Sequence, residues 1–302
     1  MLTRLLERWS ALNEWLRSFI LAVVILLLAH QFVVRFVSVQ STSMFATLRP
    51  DDLLLVERWP LWTGFDRGDI VVFRDPLRDA LPLSQRPLLV KRIAGMPGDV
   101  LEIRKGDLYV NHLYIPMPDN ATQSHLVRLR AGTDPVDLLN RLGLPSYFLQ
   151  EGRTTIELPL NDVLADSARR IHGVVSVEPM RLALGAPRHI FPFSPRYPWN
   201  GDDYGPITIP AKGDTLHINV DNFALYDRLM SVYEGHRLSA DRSTITMEDQ
   251  PLKDYVVEQD YYFVLGDSRH FSADSRYWGF LPADHLVGRG AWVLLSKGSD
   301  DR

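Results

Sequence analysis

From Ser18 to Val34 the sequence carries no charged side chain, and arginines stand on either side at positions 17 and 35. A helix this apolar on every face needs cover all round. The run is close to the ~20 residues that cross a bilayer core, and flanking arginines can snorkel to the headgroups. A cleaved leader would end in small residues of the A-x-A kind, but His30-Gln31-Phe32 has none. The expectation is a retained transmembrane helix over 18–37, with 1–17 a short amphipathic segment. Arg4, Arg8 and Arg17 favour a cytoplasmic N-terminus, a bias weakened by Arg35 and Arg49 beyond the run.

The remaining chain has to be globular. With 302 residues, 46% hydrophobic and 23% charged, it can bury a sizeable core. A net charge of −4 lacks the basic stripe of a nucleic-acid binder, so no nucleic-acid partner is expected. The absence of cysteine removes disulfides, thiol catalysis and thiolate-bound metal.

Just beyond the apolar run lies Ser41-Thr42-Ser43-Met44. A serine becomes a nucleophile only when a neighbouring base takes its proton. Strand-like runs follow at 53–56, 69–73 and 88–94, and Lys105-Gly106-Asp107 reads as a hairpin turn between 100–104 and 108–111. Lys91 lies inside Leu88-Leu89-Val90-Lys91-Arg92-Ile93-Ala94. An edge-strand lysine in water is the ordinary reading, whereas burial would disfavour its charge and leave a neutral general base. Trp59 to Phe65 form an aromatic loop that either folds over the core or meets a membrane interface.

Pro116 to Asn120 break the pattern. The stretch 116–260 reads as a mixed α/β insert, with helix turns near 135–141, 160–170 and 223–234 and strands near 154–158, 173–178, 207–209 and 215–220. Asp202-Asp203 reads as an exposed acidic turn sooner than a cation ligand, Asn120-Ala121-Thr122 matches a glycosylation acceptor by chance as easily as by purpose, and the histidines at 112, 125, 172, 189, 217 and 236 show no metal-ligand spacing. A strand at Tyr261–Leu265 then runs into Gly266-Asp267-Ser268-Arg269-His270-Phe271-Ser272-Ala273-Asp274-Ser275-Arg276, a loop built to hold itself by hydrogen bonds. No G-x-S-x-G elbow accompanies His270 or His285.

Together these stretches resemble the bacterial type I signal peptidases, membrane-bound serine proteases with a Ser–Lys dyad. Ser41-Thr42-Ser43-Met44 is similar to the S-x-S-M nucleophile box, and Gly68 to Phe73 to the next strand box. Lys91-Arg92 with Gly95-Met96-Pro97-Gly98-Asp99 is similar to the lysine box, and Gly266 through Pro282 to the C-terminal G-D-x-R…S-x-D-S-R box. The chain departs from the pattern at Ala46, where proline is usual, at Ser268, where asparagine is, and at Phe271, where a small or polar residue is commoner.

The resemblance implies a mainly β fold: a signal-peptidase-like catalytic sheet in two halves, 38–115 and 261–302, interrupted by the insert at 116–260. It implies Ser43 as nucleophile and Lys91 as base, an oxyanion hole from Ser41 and Ser43, and Ser272 orienting the lysine. Gly266, Asp267, Asp274 and Arg276 would support the site, and Met44 would line the pocket for the substrate's −1 residue. It implies no cofactor and no metal. The partners would be signal-peptide-bearing preproteins leaving the export machinery, and the lipid bilayer. The catalytic domain would lie on the outer face of the cytoplasmic membrane, on a single-pass anchor.

Overall fold

The structure is a computed structural model that describes residues 13–28, 33–150, 152–183, 190–241 and 244–296. It is mainly β. After a helix Glu14–Leu28 come β1 (Val34–Ser38), β2 (Leu53–Glu57), β3 (Ile70–Arg74) and β4 (Leu88–Gly95). The expected span 18–37 is corrected at its end, because β1 pairs antiparallel with β2 from Val34↔Glu57 to Ser38↔Leu53. Valine and phenylalanine suit a pleated surface, and Val37 buries in the core while Phe36 points outward. Among the described residues no helix is long and apolar enough to cross a membrane. The segment 1–12 and residues 29–32, with His30, lie outside the described residues.

The hairpin of β5 (Val100–Arg104) and β6 (Asp107–Val110) turns through Lys105 and Gly106 at φ 52° and 87°. Positive φ at both central residues suits the twist of a two-residue hairpin. With β7 (Leu113–Ile115) this hairpin forms a second sheet, completed across the break at 116 by β11 (Tyr204–Thr208). Between them, β8 (Gln123–Leu129), β9 (Thr155–Leu160) and β10 (Val174–Pro179) form a separate sheet in the order β10-β8-β9.

Helices Pro135–Leu142 and Asp162–Arg169 complete this lobe. Asp134 caps the first through its side chain, with Pro135 at the first turn and Gly143 left-handed at the end. Asn161 caps the second by accepting from Leu164 N–H at 2.9 Å. The helix Phe223–Arg228 continues into a wider turn at Leu229–Tyr233. Short strands β12 (Thr215–His217), β13 (Leu238–Ala240), β14 (Ile245–Met247), β15 (Gln250–Pro251) and β16 (Asp254–Val256) lead back to the main sheet.

That sheet is closed by β17 (Tyr261–Leu265), β18 (Leu281–Pro282) and β19 (Leu286–Leu295), in the order β1-β2-β19-β3-β4-β17-β18. Alternate residues of its strands feed cores on opposite faces. Val72 and Val90 pack with Val39, Met44 and Leu54, whereas Val71, Phe73 and Ile93 pack with Val264 and Trp278. Phe45, one residue past Met44, joins the lobe's core with Val127, Leu138 and Ile156. Phe148 meets Phe45 at 5.3 Å and Phe271 at 5.4 Å, edge to face. The lobe therefore braces both the Ser43 turn and the loop after β17. Replacing this buried ring, Phe148→Ala, is expected to lower unfolding free energy by about 3–5 kcal/mol, read from denaturant titration of the intact chain.

Candidate active site

Ser43 and Lys91 come from different parts of the chain and meet in the interior. Lys91 lies mid-strand in β4, opposite Val71 of β3, and Ser43 lies in the turn between β1 and β2. The two are 3% and 6% exposed. Lys91 Nζ donates to Ser43 Oγ at 2.7 Å and to the Val90 carbonyl at 3.0 Å. Ser41 Oγ lies 3.0 Å from Ser43 Oγ. Burial pulls the Lys91 pKa down to about 8, against the opposing charges of Asp274, Asp267 and Asp75. A neutral amine at this distance can accept a hydroxyl proton, which is the geometry that base activation of a nucleophile requires.

The Ser43 turn is tied to the loop after β17. Ser268 N–H donates to the Ser43 carbonyl at 3.0 Å. Asp267 accepts from Thr47 Oγ1 at 2.6 Å and takes both arms of Arg92, Nε at 2.8 Å and Nη2 at 2.6 Å. Arg92 also donates to the Gly68 carbonyl at 2.6 Å. The residue beside Lys91 thus fixes the loop that faces the serine, and a bidentate pair fixes orientation as well as distance.

Further along, Asp274 and Arg276 form a fully buried pair, Nε to Oδ1 and Nη2 to Oδ2 both at 2.8 Å. Gly266 N–H donates to Asp274 at 3.0 Å, and Arg276 spans to the Gly201 carbonyl at 3.0 Å and to the Arg269 carbonyl. Burial alone would raise the Asp274 carboxyl, but the charge and hydrogen bonds of Arg276 outweigh it and hold the pKa low.

Ser272 is 3% exposed, and its Oγ makes no hydrogen bond to Lys91; it lies on the Asp274 side of the loop, where its hydroxyl helps hold that carboxyl's pKa low. It packs instead on Gly266, where an added Cβ would stand 2.2 Å from Ser272 Oγ and 2.5 Å from the Ser43 carbonyl. Met44, expected to line a substrate pocket, is 1% exposed and packs in the core with Val39, Leu48 and Val90.

Asp202 corrects the expectation of an exposed acidic turn. It is 2% exposed, accepts from Leu182 N–H at 2.8 Å and faces His270 Nε2 at 3.0 Å. The sequence reading missed Thr122. Its N–H donates to the Asp267 carbonyl at 2.8 Å, its carbonyl accepts from Arg269 N–H at 2.9 Å, and its hydroxyl reaches the Phe45 carbonyl at 3.2 Å. No local signal marks it, because its importance comes from where two distant loops lie. The Phe271 departure has a structural reason in its edge-to-face contact with Phe148.

Among the described residues, Glu234, His236 and Glu258 bring three possible metal-ligand atoms within 4.8 Å of one another. Glu234 already accepts from the Tyr255 and Tyr261 hydroxyls, and His236 Nε2 lies 3.0 Å from Glu258. The cluster reads as a hydrogen-bonded lock on the insert.

The profile of the family described as "Signal peptidase, peptidase S26" matches residues 12–138 and 205–295. The chain belongs to this family. It is 23% identical to the signal peptidase I of Buchnera aphidicola over 92% of this chain and 75% of that protein. It is also 23% identical to that of Haemophilus influenzae, over 96% of this chain and 72% of that protein. Signal peptidase I S of Bacillus subtilis is 33% identical over 36% of this chain and 55% of its own length. The chain is accordingly a serine peptidase of the signal peptidase family. The stretch between the two matched blocks, 139–204, holds β9 and β10 of the lobe.

For this peptidase, Gly266→Ala is expected to cut kcat/KM about 10²-fold while the chain stays folded, because displacing reacting groups by ~1 Å costs that much. Cleavage kinetics beside a circular-dichroism melt would check it.

Proposed function

We propose that the chain is a membrane-anchored endopeptidase that removes N-terminal signal peptides from exported preproteins through a Ser43–Lys91 dyad. The observation that carries this reading is the 2.7 Å hydrogen bond between two buried side chains, Lys91 Nζ and Ser43 Oγ. Neutral Lys91 takes the Ser43 proton as Oγ attacks the scissile carbonyl. The Ser43 N–H and the Ser41 hydroxyl receive the oxyanion; a single such donor contributes roughly 2.7–4 kcal/mol elsewhere. Lys91 then passes the proton to the leaving amine and draws one from the water that releases the acyl group. Ser272, Asp274 and Arg276 keep the facing loop in place.

A signal peptide would enter as an added strand. β17 covers β4 only from Arg92 to Gly95, so the Leu88–Lys91 stretch of β4 has no strand of β17 beside it. Backbone pairing there would supply affinity, and the cut would fall after small side chains at −1 and −3. The exposed apolar side chains of Phe19, Leu21, Ile25 and Leu26 on the first helix support an anchor that lipid would cover. The topology proposed is a single pass in the cytoplasmic membrane, N-terminus inside and catalytic domain outside, receiving preproteins from the export machinery.

Detergent-solubilised protein should cleave a preprotein carrying an A-x-A site, and Ser43→Ala and Lys91→Ala should each lose at least ~10³-fold in kcat. Equal processing by all three proteins would overturn the dyad. The Lys91 pKa of about 8 adds a pH dependence with a fixed sign. Below that value the amine is protonated and cannot accept, so kcat/KM should rise about tenfold per pH unit and level off above it. A rate that falls through this range would remove Lys91 as the base.

A further inference from the structure

Arg269 is 7% exposed, and its guanidinium makes no hydrogen bond and no ion pair with any described residue; its Nε is fully buried without a partner. The neighbouring cations are all matched. Arg92 is held by Asp267, Arg276 by Asp274, and Arg67 by Asp99 at 2.7 Å. Arginine stays charged in proteins, and a buried charge without a counter-ion is costly. Asp267 and Asp274 act on Arg269 only through space, so its guanidinium has no anion in contact.

The space for one is present. Arg269 lines a cavity of ≈ 170 Å³, together with Arg92, Asp267 and apolar walls that include Leu108, Ile115 and Leu265. Two features narrow the chemistry. One unmatched guanidinium beside the Asp267 carboxylate suits a monoanion better than a dianion, and a planar fork matches a carboxylate in two-point contact. Walls of leucine and isoleucine suit an apolar body, as in most small-molecule pockets.

We propose that this cavity binds a small amphipathic carboxylate, with its carboxylate on Arg269 and its apolar part against Leu108, Ile115 and Leu265. The site is separate from the Ser43–Lys91 pair and does not depend on the dyad reading. It does share the loop whose Ser268 N–H holds the Ser43 carbonyl, so an occupant touches the segment that faces the serine. A free short-chain acid and the C-terminal carboxylate of a peptide both present this chemistry.

Calorimetric titration of the full chain in detergent tests the proposal with four probes: hexanoate, N-acetylleucine, inorganic phosphate and hexylamine. One of the two carboxylates should bind saturably at one per chain, and the tighter of them names the source. Phosphate and hexylamine should bind at least tenfold more weakly. Arg269→Gln should weaken the carboxylate at least tenfold. Ile115→Trp, which keeps Arg269 but fills the cavity from the half-buried edge strand β7, should do the same and decides the matter if Arg269→Gln fails to fold. Binding of neither carboxylate, phosphate binding as tight as hexanoate, or affinity unchanged in the variants would overturn the site.

Discussion

The hydrogen bond between Lys91 and Ser43 exists only because both groups are kept from water while acidic groups stay near but out of contact. Desolvation is the largest influence on the lysine and lowers its pKa; the carboxylates of Asp267, Asp274 and Asp75 pull the other way without reaching an ion pair. A direct carboxylate partner would hold the amine charged and deny it the role of base. The neighbouring carboxylates are instead occupied: Asp267 by Arg92 and Thr47, Asp274 by Arg276 and Gly266. The two arginine–aspartate pairs therefore position the loop and also absorb negative charge that would otherwise settle on Lys91.

This arrangement leaves the loop after β17 little room for substitution. Removing one member of a buried pair such as Asp274–Arg276 leaves an uncompensated charge, a loss of roughly 3–5 kcal/mol elsewhere. Gly266 works by absence, since any side chain there would run into Ser272 and the Ser43 carbonyl. The insert contributes through contact. Phe148 packs on Phe45 and Phe271, Thr122 bridges to Asp267 and Arg269, and Asp202 faces His270. The lobe, whose 139–204 part lies between the two matched blocks, thus has a mechanical part in holding the Ser43 turn and the loop after β17 together.

Several elements could be read before folding because their causes are local. The helix expected near 135–141 forms at Pro135–Leu142, Lys105-Gly106 turns a hairpin, and Tyr261–Leu265 is a strand by composition and by structure. The N-terminal run misled at its far end: hydropathy cannot separate an apolar helix from a β-branched strand that finds a partner, and Val34–Ser38 finds β2. Asp202 misled for the same reason, because its burial depends on Leu182 and on His270, a residue far along the chain.

The sequence by itself determined which chemistry was on offer: two serines at 41 and 43, one lysine in an apolar strand, and a self-bonding acidic–basic loop at 266–276, all legible from residue type and spacing. Only the tertiary structure decided that Lys91 reaches Ser43, that Ser272 rests on Gly266, that Met44 packs in the core, and that Arg269 is left without a counter-ion. The physical reason is that pKa, burial and hydrogen-bond partnership belong to the space around a group, and that space is filled by segments distant in the chain.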